Sequence, residues 1–475
     1  MINILVIVSV MAFMLYGSHR LFLLYLWYQY NTQPISHKHT IKEYPYVTVQ
    51  LPVYNECYVI KRLIETASKM DYPRDRFEIQ VLDDSTDETT EIIGNIIREL
   101  EGIDIKHIHR KDRYGFKAGA LQEGQKIAKG DFIAVFDSDF IPPKDFLKDL
   151  MPYFEDERVG MVQARWEFLN ENLSFLTKAQ ALSLRSHFRI EHLARNRSGR
   201  FFNFNGTAGI WRKKTIVDAG GWHCDTLTED LDLSYRAQME GWKFLYIDDV
   251  SCPSELPPTM KAFKSQQYRW MKGMAEVARK ILPRVIHAKL PLFVKIEACA
   301  HLLAPLTYGF SLVTFLLLLP LITMSGGTVP LWIGTLYAIG LGWTTMIMGV
   351  FHYITFRNDK YSLLDYLTRF IFLLMIGIGN SLNAVRATVE GYLNIQSPFV
   401  RTPKYGVGTI AKNAKYRIKQ DTLIFFEAFM CIYAGVLLIA SIRFCLPVVP
   451  WAALFLTGWL VVVLSQINET IYDKN

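Results

Sequence analysis

Phe77-Glu-Ile-Gln-Val-Leu-Asp-Asp-Ser-Thr-Asp87 decides the fold class of this chain. Its first half, Phe77 to Leu82, is a β-rich apolar run, and its second, Asp83, Asp84, Ser85, Thr86 and Asp87, is a polar turn. Beyond the turn Ile92, Ile93, Ile96, Ile97 and Leu100 recur at helical spacing, with Ser85 and Glu88 expected to form a capping box. A strand that passes through an acidic turn into an amphipathic helix is one unit of a mostly parallel α/β sheet covered on both faces. The alternation continues on either side, where Val47 to Leu51, Ile105 to Ile108, Phe132 to Phe136 and Met161 to Ala164 read as further strands. Ligands of such sheets bind beyond the carboxyl ends of the strands.

Acids collect at those ends. Besides Asp83 and Asp84, the strand ending at Phe136 runs into Asp137, Ser138 and Asp139. Two carboxylates two residues apart can grip a divalent cation, because hard cations take oxygen ligands; alone, such a pair is also ordinary loop composition. Thr228-Glu229-Asp230-Leu231-Asp232 opens a helix ending near Gly241, where first-turn acids also suit the helix dipole, a reading that fits Asp232 well. On a further helix Gln266, Arg269 and Trp270 stand at i, i+3 and i+4 and share one face. An amide, a guanidinium and a flat ring are what a diphosphate and a sugar require, although an amphipathic interfacial helix would carry the same pattern.

Around this polar region, about 45 to 290, the chain of 475 residues turns apolar. From Ala298 to Phe356 it has 59 residues without one Asp, Glu, Lys or Arg, and about 20 apolar residues cross a bilayer. Five crossings are expected: residues 1 to 30 as a retained anchor, two within 295 to 356 around the turn Ser325 to Pro330, and two within 421 to 467. The acid-free run Arg401, Lys404, Lys412, Lys415, Arg417 and Lys419 belongs on the cytoplasmic side, as do Arg357, Lys360 and Arg369. The stretch 361 to 398 then has both ends inside and is expected to lie in the interface or re-enter, with a sixth crossing at 371 to 395 as the rival. The positive charges that give the net +7 flank apolar segments and form no stripe with interleaved aromatics, which argues against nucleic acid. Six scattered cysteines offer no C-x-x-C pair and no zinc spacing.

Taken in order, Asp83/Asp84, Asp137-Ser-Asp139, Thr228-Glu-Asp230 and Gln266-x-x-Arg269-Trp270 resemble the signature of the processive family 2 glycosyltransferases, the cellulose, chitin and hyaluronan synthases. Leu51-Pro-Val-Tyr-Asn-Glu56, Gln80-Val-Leu-Asp-Asp-Ser-Thr-Asp87, Gly115-Phe-Lys-Ala-Gly-Ala120 and Phe204-Asn-Gly-Thr-Ala-Gly-Ile-Trp211 are similar to the cellulose synthase-like mannan and glucan synthases. Phe399-Val-Arg-Thr-Pro-Lys404 is similar to the gating loop of cellulose synthases and departs from it at Arg401, where that pattern has Val.

The resemblance implies an α/β catalytic domain of GT-A type on the cytosolic side, joined to an α-helical transmembrane domain that passes a growing polysaccharide, at 361 to 420 through an interfacial helix and a gating-type loop. It implies a nucleotide-sugar donor, UDP-glucose or GDP-mannose, and a β-linked glucan or mannan product. Asp83 and Asp84 would contact the base and ribose, with Tyr54 and Glu56 nearby; Asp137 and Asp139 would hold Mg²⁺ or Mn²⁺ on the diphosphate; Lys117 and Arg269 would meet phosphate. Asp230 would be the general base. Glu229, Gln266, Trp270, Asn205 and Gly206 would hold the acceptor, and Phe399, Thr402 and Lys404 would form the gate. The membrane would be the cell membrane in a bacterium and the Golgi membrane in a plant, and any partner that exports the glycan is left open.

The competing reading is a single transfer to a membrane lipid of the ceramide or polyprenyl phosphate type, which needs only interfacial access. Four carboxyl-terminal crossings and the Phe399 segment favour the polymer. A transporter or receptor would be expected to bury acids within its spans, and 298 to 356 has none. Trp222 follows Gly220 and Gly221, which permit close approach, and is expected to be a sugar platform. Trp166 and Trp211 suit either an acceptor sugar or core packing. His301 and His352 are expected to be satisfied by neighbouring carbonyls.

Overall fold

The computed structural model describes residues 2–32, 43–324, 331–357, 361–397, 400–406, 418 and 420–472. The sequence alternation becomes β1 Val47–Val53, β2 Phe77–Asp83, β3 Asp104–His109, β4 Phe132–Val135, β5 Val159–Phe168, β6 Gly209–Arg212 and β7 Lys243–Ser254. Among the described residues these seven strands form one sheet in the order β3-β2-β1-β4-β6-β5-β7. β3, β2, β1 and β4 run parallel, β6 runs antiparallel to β4 and β5, and β5 is parallel to β7. The five expected strands are present; β6 and β7 were not expected from the sequence, the first being four residues long and the second interrupted by Asp248 and Asp249.

The helices that matter below are α1 Ile2–Tyr30, α2 Ile60–Ser68, α3 Thr89–Glu99, α4 Phe116–Ile127, α5 Glu229–Met239 and α6 Met260–His287, followed by α7 Leu306–Met324, α8 Leu331–Phe356, α9 Leu363–Gly379, α10 Ser381–Tyr392, α11 Leu423–Phe444 and α12 Val449–Tyr472. One face of the sheet buries Val49, Leu51, Ile64, Ile79 and Val81, and the other buries Leu121, Ile133, Val135, Phe204 and Leu233. Both faces are covered, as parallel strands require. The expected capping box does not form. Helix α3 begins only at Thr89, and the Ser85 hydroxyl instead accepts from the Asn55 backbone N–H at 2.9 Å, tying together the turns that follow β1 and β2.

Among the described residues five helical stretches are long and apolar enough to cross a membrane: Ile4–Tyr30, Leu306–Met324, Gly334–Phe356, Leu423–Phe444 and Leu446–Ile471. The first of the two crossings expected within 295 to 356 starts later than its apolar run does, because Leu292–Leu302 is a separate helix and the chain breaks before Pro305. Helices α9 and α10 meet at 50° and would make a sixth span if counted together. α1 packs against α7 and α8, α11 against α7 and α12, and α12 also against α9. Val10, Phe315, Tyr337, Leu437 and Trp459 fill the bundle. α6, the last long helix of the α/β domain, packs against α10 and touches α12.

Candidate active site

The carboxyl ends of β1, β2 and β4 open onto a cavity of about 230 Å³. The turn after β1 contributes Tyr54 and Glu56, the turn after β2 Asp84, and the turn after β4 Asp137 and Asp139. From the opposite side come Asn205 and Gly206 before β6, Glu229 and Asp230 at the start of α5, and Gln266, Arg269 and Trp270 on α6. Residues Arg401, Thr402 and Lys404 complete the wall. Four motifs that lie up to 186 positions apart in sequence, from Asp84 to Trp270, thus meet in one place.

Lys117, in the first turn of α4, binds the cavity's two sides together: its Nζ donates to Asp137 Oδ1 at 2.6 Å and to the Gly206 carbonyl at 2.9 Å. Gly206 has φ +82°, and a Cβ there would sit 3.0 Å from Asp230 Oδ2 and 3.3 Å from Lys117 Nζ. Glycine is therefore needed twice, for its backbone and for the approach of an acid and an ammonium. Asp230 is pushed up to about 7, first by burial and then by the neighbouring Glu229 charge, with Lys117 pulling the other way. Burial raises Glu229 as well, again opposed by Lys117. A carboxylate that titrates near neutrality beside a cation is suited to accept a proton.

Asp84 is clamped by Arg110, which donates from Nε to Oδ1 at 2.7 Å and from Nη2 to Oδ2 at 2.6 Å. The Arg113 guanidinium stacks 3.3 Å from the centre of the Tyr54 ring and also lines the cavity. These two arginines, three apart in the turn between β3 and α4, were not singled out from the sequence; the available signal was a pair of basic residues in the turn after an expected strand. Asn205 is oriented from behind, where His192 Nε2 donates to its side-chain carbonyl at 2.5 Å. Trp166 lines the cavity and packs edge-on against Phe140 at 5.2 Å.

Two expected residues lie elsewhere. Asp83 is fully buried at the end of β2 and turns away from the cavity: its carboxylate accepts from the Ser85 backbone N–H and the Thr90 hydroxyl and meets His107 at 2.9 Å and His109 at 3.2 Å. Burial alone would raise it, but these hydrogen bonds prevail and hold it down at about 2. Successive strand residues face opposite sides, so Asp84 alone of the pair enters the cavity. Trp222 is 2% exposed and packs edge-on against Trp211 at 6.0 Å in the core, where an indole buries more apolar area than a cavity wall would allow. His301 meets the hydroxyl of Tyr235 at 2.9 Å rather than the expected carbonyl, whereas His352 meets the Ser186 hydroxyl at 2.7 Å and also the backbone of Leu182.

The segment 400–406 lines the cavity through Arg401, Thr402 and Lys404. The Thr402 hydroxyl accepts from Arg269 Nη2 at 2.7 Å, Lys404 Nζ donates to Asp139 Oδ2 at 2.7 Å, and Arg401 Nη1 lies 2.6 Å from Glu56 Oε1. Glu56 is pushed up to about 7 by burial, an effect that Arg401 partly offsets. Phe399 lies outside the described residues. Asp137 and Asp139 suit a hard divalent cation: they present carboxylate oxygens to one cavity, and each already faces an ammonium.

A family model described as glycosyltransferase like family 2 matches residues 45–273. Glucomannan 4-beta-mannosyltransferase 2 of Arabidopsis thaliana is 34% identical over 420 residues, covering 84% of this chain and 75% of that protein. Glucomannan 4-beta-mannosyltransferase 1 of Cyamopsis tetragonoloba is 41% identical over 276 residues, covering 55% of this chain and 51% of that protein, so the chain aligns with about half of that relative's length. The solved structure of a mannosyltransferase from Pyrobaculum calidifontis, in complex with GDP-Man and Mn²⁺, has a TM-score of 0.60 at 19% identity, covering 83% of this chain and 100% of that one, a likeness of fold. With its GT-A-type sheet and its apolar helices, the chain belongs to the family 2 glycosyltransferases, beside the cellulose synthase-like glucomannan mannosyltransferases.

Proposed function

We propose that the chain is an integral membrane glycosyltransferase that takes mannose from GDP-mannose and extends a β-1,4-linked mannan, inverting the anomeric carbon, with residues 45 to 290 on the cytosolic side and the apolar helices passing the product across the membrane. The observation that carries this reading is the convergence of Asp84, Asp137 and Asp139, Glu229 and Asp230, and Gln266, Arg269 and Trp270 on one cavity at the ends of parallel strands. The choice of mannose rests on the glucomannan mannosyltransferases that the chain resembles.

Each side chain has work to do in such a transfer. Tyr54, Arg113 and Asp84 form the end of the cavity that receives the nucleoside, the stacked Tyr54 and Arg113 giving a flat surface. Asp137 and Asp139 would hold Mg²⁺ or Mn²⁺, which when bound supplies charge neutralisation at the departing diphosphate. Lys117 and Arg269 add fixed positive charge there; two unit charges about 4 Å apart gain on the order of 4 kcal/mol at an effective dielectric of 20. Asp230 takes the proton of the acceptor hydroxyl as it attacks, a contribution of roughly 10² to 10⁴ in rate. Trp270 offers its ring face to the terminal acceptor sugar, and a single displacement turns an α-linked donor into a β-linked product. At about 230 Å³ the cavity is smaller than the roughly 300 to 1,000 Å³ of a typical ligand cleft, so the 400–406 segment withdraws to admit the donor and returns over it.

The test is incubation of membranes carrying the protein with radiolabelled GDP-mannose or UDP-glucose in the presence of Mg²⁺ or Mn²⁺, followed by linkage analysis. A 4-linked mannan from GDP-mannose is expected. Label recovered only in an organic-soluble lipid, or incorporated only from UDP-glucose, would overturn the proposal.

A further inference from the structure

Helix α6 carries Gln266, Arg269 and Trp270 into the cavity; it packs mainly on α10, and its amino-terminal end is held in addition by polar contacts from the last two membrane helices. Lys264 on α6 is 5% exposed, and its Nζ donates to Glu427 Oε1 on α11 at 2.5 Å and to Gln466 Oε1 on α12 at 3.0 Å. Gln466 returns a hydrogen bond from Nε2 to Glu427 Oε2 at 2.8 Å, closing the cluster. One turn earlier, the Glu469 carboxylate of α12 accepts from the backbone N–H groups of Met260 and Lys261, the latter at 3.1 Å. These are donors that the first turn of a helix leaves without an intrahelical partner, at the end where the dipole favours an anion. Asn383 of α10 donates to the Lys264 carbonyl at 3.0 Å on the remaining side.

Cohesion does not account for this arrangement. A buried ion pair is costly to desolvate, and well-packed apolar residues of the same volume hold helices together as well or better. What a closed, directional cluster adds is register. At 3.6 residues per turn, Lys264 stands about 140° around the helix from Arg269, so one side chain is held in the bundle while the other enters the cavity. A rotation of roughly 10° moves a side chain at the outer helix radius, about 5 to 6 Å, through about 1 Å. A misplacement of that size, caused far from the chemistry, can lower a rate about 10²-fold.

We infer that Lys264, Glu427, Gln466 and Glu469 are positioning residues that set the rotation and height of α6 against α11 and α12 and thereby aim Arg269 and Trp270 at the reacting sugar. This rests on the reading of the cavity as a transferase site. The last two membrane helices are then part of the apparatus that aligns the transfer as well as part of the membrane anchor.

The test uses the full-length protein in nanodiscs, with E427Q, K264M, E469Q and the charge swap K264E/E427K. Two readouts are taken: kcat and donor KM, and amide hydrogen exchange across 260–273, which needs no activity. In E427Q and K264M, kcat is expected to fall about tenfold or more with donor KM changed less than about threefold, and exchange across α6 to quicken. The swap should recover both, because it restores the pair. Normal kcat in E427Q, or a loss of kcat with unchanged exchange, would overturn the inference. If E427Q does not fold, the swap decides: recovered turnover supports positioning, and a folded but slow swap refutes it. If the wild-type protein transfers neither sugar, the transferase reading fails, while the exchange comparison still reports whether the cluster holds α6.

Discussion

Lys404 Nζ lies 2.7 Å from Asp139 Oδ2, so a segment that follows the bent helix pair α9 and α10 reaches across the cavity to a carboxylate at the end of β4. Together with the Thr402 contact to Arg269, this supports the proposal that the segment acts as a lid over the donor, in place of a basic loop held near anionic lipid. Thr402→Ala keeps every charge and removes one hydroxyl, and Lys404→Arg keeps the charge but replaces a compact ammonium with a planar fork. Lid closure commonly limits turnover. Each variant is expected to lose about tenfold in kcat, with a smaller change in donor KM; wild-type kinetics in both would return the segment to the lipid-facing role.

Asp230→Asn keeps the shape of the side chain and removes its capacity to take a proton. Transfer should fall by about 10² to 10⁴, while calorimetry should still detect donor binding. Full turnover in this variant would remove Asp230 as the base.

The pH dependence follows from the same carboxyl. Because Asp230 titrates at about 7 and must be unprotonated to act, kcat/KM should decline as pH falls through 7. Stability should move the other way. Glu56 is raised to about 7, so between its ordinary value and 7 the folded chain keeps a proton that the unfolded chain has lost. Its contribution to stability is full below the ordinary carboxylate range and is lost as pH rises through 7. In metal-free buffer the thermal midpoint should therefore drop between about pH 4.5 and 7 and level off above that, and Glu56→Gln should flatten the drop. An unchanged slope in this variant would acquit Glu56.

Metal removal is a separate lever. EDTA should abolish transfer and Mn²⁺ or Mg²⁺ should restore it, while Asp139→Ala should raise the metal concentration needed for half-maximal rate. Full activity in EDTA would refute the assignment of Asp137 and Asp139.

Membrane orientation can be checked without any activity. A cysteine placed beside Gly326 should react with an impermeant thiol reagent applied to sealed cells, and one beside Lys412 should be protected; both positions lie outside the described residues. The reverse pattern would put residues 45 to 290 on the other side.

How legible each feature was depended on its range in the chain. The alternation around Phe77 to Asp87 and the i, i+3, i+4 face of Gln266, Arg269 and Trp270 are local patterns, and local patterns survive folding. Trp222 and Asp83 went elsewhere because which face of a strand or turn meets the ligand is decided by tertiary packing: Trp211 and the His107/His109 pair were better partners than the cavity. β6 was too short to show a period, and β7 was masked by Asp248 and Asp249. The Arg401–Glu56 pair spans 345 positions and had no signal beyond Arg401 itself, which stood out only as a departure from a family pattern.

The position of α6 also bears on how this enzyme class can be recombined. The end of α6, near residue 290, offers itself as the joint for grafting one catalytic unit onto another membrane scaffold. A chimera built there would carry Lys264 into a foreign bundle without Glu427 and would start α6 without the Glu469 carboxylate over Met260 and Lys261. The unit to be inherited whole is discontinuous: the α/β domain together with α11 and α12, which lie far from it in the chain and next to it in space.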